Sequence, residues 1–241
     1  MEITALRRLT CDLVEEAWSQ VSALPDTEPA QEVRRSVASY YLFASREYVV
    51  GAWQMLSENR RLAALALSRW PLEAALNLLW VLAGNGEVDQ RITDLRAKAL
   101  RQEEALQRGI AEAFPTLVVP HGETAKKVAN AARNLGARRL DSLERRMEEL
   151  EATDIATGKL GELGPRLYVY YRICSVAVHA HPRVWENPDK RVAKPWVIYR
   201  ITASSPLYLV AAAYCLTDSG DIDKLYKWWA EVESLLDKQG T

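Results

Sequence analysis

The sequence predicts an all-α protein, a bundle of about seven to nine helices with two central apolar helices at 62–82 and 166–180. Three observations lead there. Composition favours helix: Phe occurs 2 times and Gly 11 times in 241 residues, while Ala, Leu, Arg and Glu, all strong helix formers, dominate. Apolar residues recur at spacings of three and four along most of the chain. Clean two-residue alternation, the mark of a half-buried strand, is nearly absent.

Each element follows from its own pattern. Ile3, Leu6, Leu9, Leu13, Ala17 and Val21 make residues 2–23 an amphipathic helix. The linker LPDTEP at 24–29 carries two prolines. A long helix runs from Ala30 to Ser57 on Val33, Val37, Tyr40, Tyr41, Ala44, Tyr48, Ala52 and Met55, its aromatics read as packing residues. From Leu62 to Leu82 the chain is apolar almost all round, as a helix in the middle of a bundle must be. Pro71 starts or kinks it, and Gly84 and Gly86 end it. Residues 87–113 form a polar-faced helix with a stripe at Ile92, Leu95, Ala99 and Leu106. A loop at 114–123 holds a solvated His121. Helices at 124–135 and 139–151 separate near Gly136, the second dense in Glu/Arg pairs that suit a solvated face. Pro165 opens the apolar helix that contains the run YYRICSVAVHAH, Tyr170 to His181. An extended loop covers 182–200, and helices return at 203–218 and 221–238, the last capped by Asp221. No internal repeat and no boundary appears, so 1–241 reads as one helical domain.

The totals exclude some function classes. Hydrophobic residues make up 49% of the chain, enough for a sizeable core. Lys and Arg number 31 and Asp and Glu 32, a formal net charge of -1. A protein that coats nucleic acid without specificity is basic overall, so nucleic-acid contact here is confined to a local site. Cys11, Cys174 and Cys215 make neither a CxxC pair nor an even framework, which points to a reducing compartment. The N-terminus has acidic residues inside its apolar pattern and no signal-peptide core. No stretch approaches about 18 apolar residues, so no membrane span is expected. A cytoplasmic location follows by default.

The candidate site is a polar stripe inside apolar helices. At about 100° per residue, Tyr168, Arg172, Ser175 and His179 share one face of the helix opened by Pro165, with roughly 10 Å between Arg172 and His179. The remaining positions there are apolar. An arginine buried without a partner costs several kcal/mol. The helix 62–82 supplies one: in SRWPLEAALN, Arg69, Glu73 and Asn77 stand four apart. Glu73 is expected to contact Arg172, or Arg69 nearby, in a set of convergent polar groups in apolar surroundings. The same cluster also suits a structural ion pair that fixes helix register. Metal ligation is not indicated: there is no Glu-x-x-His pair, and His179 and His181 point to different faces of a helix. No phosphate-binding glycine loop, GxSxG or HExxH occurs, and no cofactor is indicated.

Arg172, six residues and then His179 resemble the R-x(4–6)-H pattern of HEPN domains. The pairing of SRWPLEAALNLLW with YRICSVAVHAHP also resembles an uncharacterised bacterial family with an Arg-x3-Glu helix and a Tyr-Arg…Ser…His helix. The resemblance spans about residues 60–182 and departs from the HEPN nucleases at Ile173, where they usually carry a polar residue, often Asn or Asp. It implies an all-helical, metal-independent ribonuclease of a toxin or phage-defence type. Its partners would be RNA, an antitoxin or other protein, and a second copy of the chain, because HEPN sites are composite. His179 would be general base or acid and Arg172 the phosphate clamp, with Tyr168, Ser175, Glu73, Arg69 and Asn77 binding or orienting. Leu207, Leu209, Val210 and Tyr214 on 203–216 offer one dimer interface. The alternative is a non-catalytic helical module that binds a nucleotide, small ligand or protein partner through the same cluster. Exposure separates these readings: a nuclease needs Arg172 and His179 at a solvent-facing cleft, a binding pocket encloses them in one chain, and a structural cluster buries them.

Overall fold

The computed structural model describes residues 3–25, 28–84, 86–113, 121–138, 142–151, 163–178, 194–219 and 222–237. Among them are nine α-helices and no strand: α1 Ile3–Ser22, α2 Pro29–Ser57, α3 Arg61–Leu82, α4 Val88–Ala113, α5 His121–Asn134, α6 Leu143–Glu151, α7 Leu163–Val178, α8 Pro195–Thr217 and α9 Ile222–Asp237. The all-α bundle expected from composition and periodicity is what forms. Two compact units are present, one made of 1–83 and 147–241, the other of 84–146.

In the first unit, α3 and α8 are the central pair. Leu72 and Ala74 to Val81 of α3 are buried, as is every residue of α8 from Ile201 to Tyr214. This corrects the expectation that 166–180 is central. Helix α7 packs on α3 through Leu167 and Cys174 but leaves Val169, Arg172, Val176 and Val178 exposed. The reason is charge. Helix α8 carries no charged residue between Arg200 and Asp218, whereas α7 has Arg172 in its middle, and an ion is costly to surround on all sides. Leu207, Leu209, Val210 and Tyr214, expected at a dimer interface, are therefore core residues of the chain itself.

Helix α8 also starts earlier than the extended loop expected over 182–200 allows. Pro195 occupies its first turn, where the missing N–H costs nothing, and residues 195–202 are helical. At the other boundary, His121 begins α5 rather than sitting in a loop. Asp221, His179 and His181 lie outside the described residues.

Two prolines sit inside the central helices, Pro71 and Pro206. Proline cannot donate to the carbonyl four residues before it. At Pro206 that carbonyl is Thr202's, and the Ser205 hydroxyl donates to it at 3.3 Å. The Thr202 hydroxyl in turn meets the Ser68 hydroxyl of α3 at 3.1 Å, buried. The seam between the two helices is thus polar at one point and satisfied there.

Helices α2 and α3 form an antiparallel hairpin. Asn59 takes the left-handed conformation (φ 58°), and the N–H groups of Asn59 and Arg60 donate to the carbonyls of Leu56 and Met55, closing α2 as a Schellman turn. Along the hairpin Gly51 faces Leu67 closely enough that a Cβ would lie 3.1 Å from its Cδ1. Further along, Tyr48 faces Trp70 and Tyr41 faces Asn77. The core stripe of α2 is Ala38, Leu42, Ser45, Val49, Ala52 and Leu56 with Trp53. Of the aromatics expected to pack, Tyr41 and Tyr48 meet Trp70, whereas Tyr40 is exposed, as is Phe43. Helix α2 carries two apolar stripes, and the one with Leu42, Val49, Trp53 and Leu56 takes the core.

Helix α1 joins this core by Leu6, Leu13, Val14, Ala17 and Val21. Edge-to-face rings tie α7, α8 and α9 together: Tyr170 on Tyr208 at 6.4 Å and Tyr208 on Trp229 at 5.1 Å. Arg200 holds α9 to α8 through Glu233 at 2.6 Å and Asp237 at 3.3 Å.

The second unit is the α4–α5 hairpin. Ile92, Leu95 and Ala97 are buried, while Ala99 and Leu106 of the expected stripe are not. Gly136 turns the chain at φ 62°, bringing the Arg138 backbone N–H to the buried Asp94 carboxylate at 2.8 Å. The Arg138 guanidinium donates to Asp94 at 3.2 Å and to both oxygens of Glu87. The Glu87 hydrogen bonds, with those to Asp94, raise the guanidinium above its usual value.

The buried indole of Trp53 donates to the Thr10 hydroxyl at 2.8 Å, and Thr10 donates to the Leu6 carbonyl at 2.8 Å. Thr10→Val keeps the shape and strands the indole N–H, so urea unfolding should show a loss of about 1–3 kcal/mol. An unchanged midpoint would mean that the indole has another acceptor.

Candidate functional site

The site is built where α7 crosses α3. Arg69 and Glu73, one turn apart on α3, form an ion pair at 3.8 Å with side chains 22% and 29% exposed. The Arg69 guanidinium also donates to the Tyr171 hydroxyl of α7 at 3.0 Å and lies 5.2 Å from the centre of that ring. Tyr171 stacks with Tyr168, centroids 6.4 Å apart and planes 16° apart. Arg172 stands 6.0 Å from the centre of the Tyr168 ring. The Ser175 hydroxyl donates back to the Tyr171 carbonyl at 2.9 Å. Asn77, buried two turns beyond Trp70, donates to the Tyr41 hydroxyl at 3.5 Å on the α2 side.

The structure therefore joins Arg69 and Glu73 to Tyr168 through Tyr171, leaves Ser175 bonded to its own helix and Asn77 on the α2 side, and corrects the expected burial of Arg172. Arg172 is exposed rather than buried, because it lies on the outer face of α7 beside Val169 and Val176. Of the two partners expected for Glu73, Arg172 and Arg69, it is Arg69 that forms the ion pair, along its own helix. That pair keeps contact with water, so removing Glu73 costs about 1 kcal/mol or less, not the larger loss of a dry ion pair. Tyr171 is the residue the sequence reading missed. It carries the contact between the two helices, and its signal was its place between Tyr168 and Ser175 at spacings of three and four.

Cys174 sits under this cluster, fully buried. Burial pushes its thiol up to about 12, against a smaller opposing pull from Arg69. It is thus a protonated packing residue rather than a nucleophile. Among the described residues no three His, Cys, Asp or Glu side chains gather to hold a metal ion, and no described helix is long and apolar enough to cross a membrane.

Chemically, the cluster offers guanidinium groups for an anion, tyrosine rings for stacking, and one carboxylate. Comparison of the chain with family models, with curated proteins and with solved structures finds no match.

The Cys174 thiol gives a pH prediction. Its value is raised on folding, so the stability it contributes is fully present below the ordinary value of 9.0 and is lost as pH rises towards about 12. Urea unfolding from pH 8 to pH 10.5 should show a steeper decline for the native sequence than for Cys174→Ala, by up to about 1.4 kcal/mol per pH unit above pH 9. Equal slopes would place the thiol in contact with water.

Proposed function

We propose that this protein is a HEPN-like, metal-independent endoribonuclease of a toxin or phage-defence type that works as a homodimer. The observation that carries the reading is the exposure of Arg172 on the outer face of α7. A purely structural arginine in this cluster would be enclosed, whereas a phosphate clamp has to reach its substrate. In the sequence His179 follows Arg172 after six residues, the spacing on which the resemblance rests.

The chemistry needs only these groups and the RNA. The 2′-hydroxyl attacks the adjacent phosphorus, the bond to the 5′-oxygen breaks, and a 2′,3′-cyclic phosphate remains. The His179 imidazole would accept the 2′-hydroxyl proton and return a proton to the leaving 5′-oxygen, the work that histidine does in general acid–base catalysis. The Arg172 guanidinium holds the charge that grows on the phosphorane oxygens. Tyr168 supports Arg172 from below, and Arg69, Glu73, Tyr171 and Ser175 set the position of α7.

The dimer follows from the same face. Val169 and Val176, 54% and 37% exposed, flank Arg172 three residues before it and four after. Apolar residues around a catalytic arginine suit a second copy of α7, which brings the two arginines together. A second reading is a non-catalytic helical module, with nucleotide, small ligand or protein bound at the cluster. It is favoured by Arg69, which is already held inside one chain by Glu73 and Tyr171.

Purified protein should cleave single-stranded RNA with EDTA present and leave 2′,3′-cyclic phosphate ends. Arg172→Ala and His179→Ala should each abolish cleavage without unfolding the protein, and combining them should add nothing. His181→Ala, outside the Arg172–His179 spacing, should retain it. Val176→Glu should give a monomer by light scattering and lose cleavage. Intact RNA after incubation with the native protein would favour the binding module.

A further inference from the structure

Between Leu62 and Glu73 of α3, partial exposure is confined to one side of the helix. At about 100° per residue, Arg69, Glu73, Ala66 and Trp70 lie within roughly 100° of one another, and all four are half-buried. The positions opposite them, Ala64, Leu65, Ser68, Leu72, Ala75 and Leu79, are buried. Helix α3 packs against α2 on one side of this arc and α7 on the other. The small Ala66 side chain keeps the middle of the arc low. The half-buried strip of α3 is thus bordered by α2 and α7.

Both borders carry aromatic rings. On the α2 side, Tyr48 is stacked on Trp70 with centroids 5.3 Å apart and planes 18° apart, and Tyr48 is itself 37% exposed. On the α7 side, Tyr168 and Tyr171 are stacked, with Arg172 against the first and Arg69 against the second. The Glu73 carboxylate on the strip is offset by Arg69.

We infer that this strip of α3, with its α2 and α7 borders, is the binding track for unpaired RNA, with the Tyr48–Trp70 pair as a base-stacking platform across α3 from Arg172. The inference rests on the nuclease reading for the identity of its ligand. Parallel aromatic rings with an exposed face accept any base, and guanidinium groups hold the phosphates between them. A helical strip bordered by stacked rings suits single strands, whose bases are free to leave one another, and not a duplex, whose bases are already stacked. The track also accounts for a protein with a formal net charge of -1 engaging RNA: stacking supplies affinity that a basic coat supplies elsewhere.

The test is equilibrium binding of a fluorescein-labelled, fully 2′-O-methylated 12-nucleotide single strand, followed by anisotropy. The methyl groups remove the attacking hydroxyl, so binding is read without cleavage. Tyr48 is exposed, so Tyr48→Ala should leave the unfolding midpoint in place while weakening binding roughly tenfold or more. Tyr48→Trp, which restores a ring, should recover it. A blunt duplex of the same sequence should bind much less tightly than the single strand. Oligonucleotide binding that is indifferent to Tyr48→Ala, or equal for strand and duplex, would overturn the track while leaving the nuclease reading in place. Ring-dependent binding by a protein that leaves unmethylated RNA intact would uphold the track and overturn the nuclease. A native protein that binds no oligonucleotide at tens of micromolar would overturn the track outright.

Discussion

Everything in the first unit is arranged around the need to surround α8, which is apolar on every side, and its neighbour α3, which is apolar on all sides but one. Helix α8 has no charged residue from Ile201 to Thr217, and its buried run spans four turns. A helix of that kind has no face to offer water, so other helices must cover it all round. Helices α1, α2, α3, α7 and α9 all pack on it. Helix α3 is nearly as apolar and lies against it along the Ser68–Thr202 contact. The hydroxyl pair stands close to both internal prolines, where backbone hydrogen bonding is weakened and a misplaced polar group would be costly.

The candidate site is a consequence of where that covering stops. From Leu62 to Val81, helix α3 is buried except for the side that holds Arg69, Glu73, Ala66 and Trp70, and the two helices beside it contribute rings from opposite sides. Arg69 fastens α7 to α3 through the Tyr171 hydroxyl, which orients the outer face of α7, including Arg172. Supporting contacts of this type hold a surface group in place. Stability and proposed function thus use different faces of the same helices: Leu167 and Cys174 of α7 point inward, while Val169, Arg172 and Val176 point out.

Much of the fold was legible because its signals are local. Spacings of three and four, the prolines of the linker before α2, and the glycine after α5 mark helices and their ends in the residues themselves. Rank among helices is not local. Helices α7 and α8 both read as apolar, and the decisive difference is the single charge at Arg172, which tolerates one exposed side but not full enclosure. The start of α8 was obscured by DKRVAKP, whose charges and proline resemble a loop although Pro195 is a helix-starting residue. On α2 two apolar stripes compete, and only the position of α8 decides that Leu42 and Trp53 go in and Tyr40 and Phe43 stay out. At the site, Arg69, Glu73, Tyr168 and Ser175 were visible as polar positions in apolar runs. Tyr171 was not, because a tyrosine in such a run looks like core until its hydroxyl is seen to meet an arginine.

The central claim is that the outer face of α7 forms a composite site between two copies of the chain. Mixing tests it most directly. Arg172→Ala and His179→Ala proteins, each inactive, are combined, partly unfolded and refolded together, and assayed on single-stranded RNA with EDTA present. If each site takes its arginine from one copy and its histidine from the other, mixed dimers contain one intact site, and the mixture should recover up to about a quarter of native activity. A mixture as inactive as its components, in material that light scattering shows to be dimeric, would contradict the composite site.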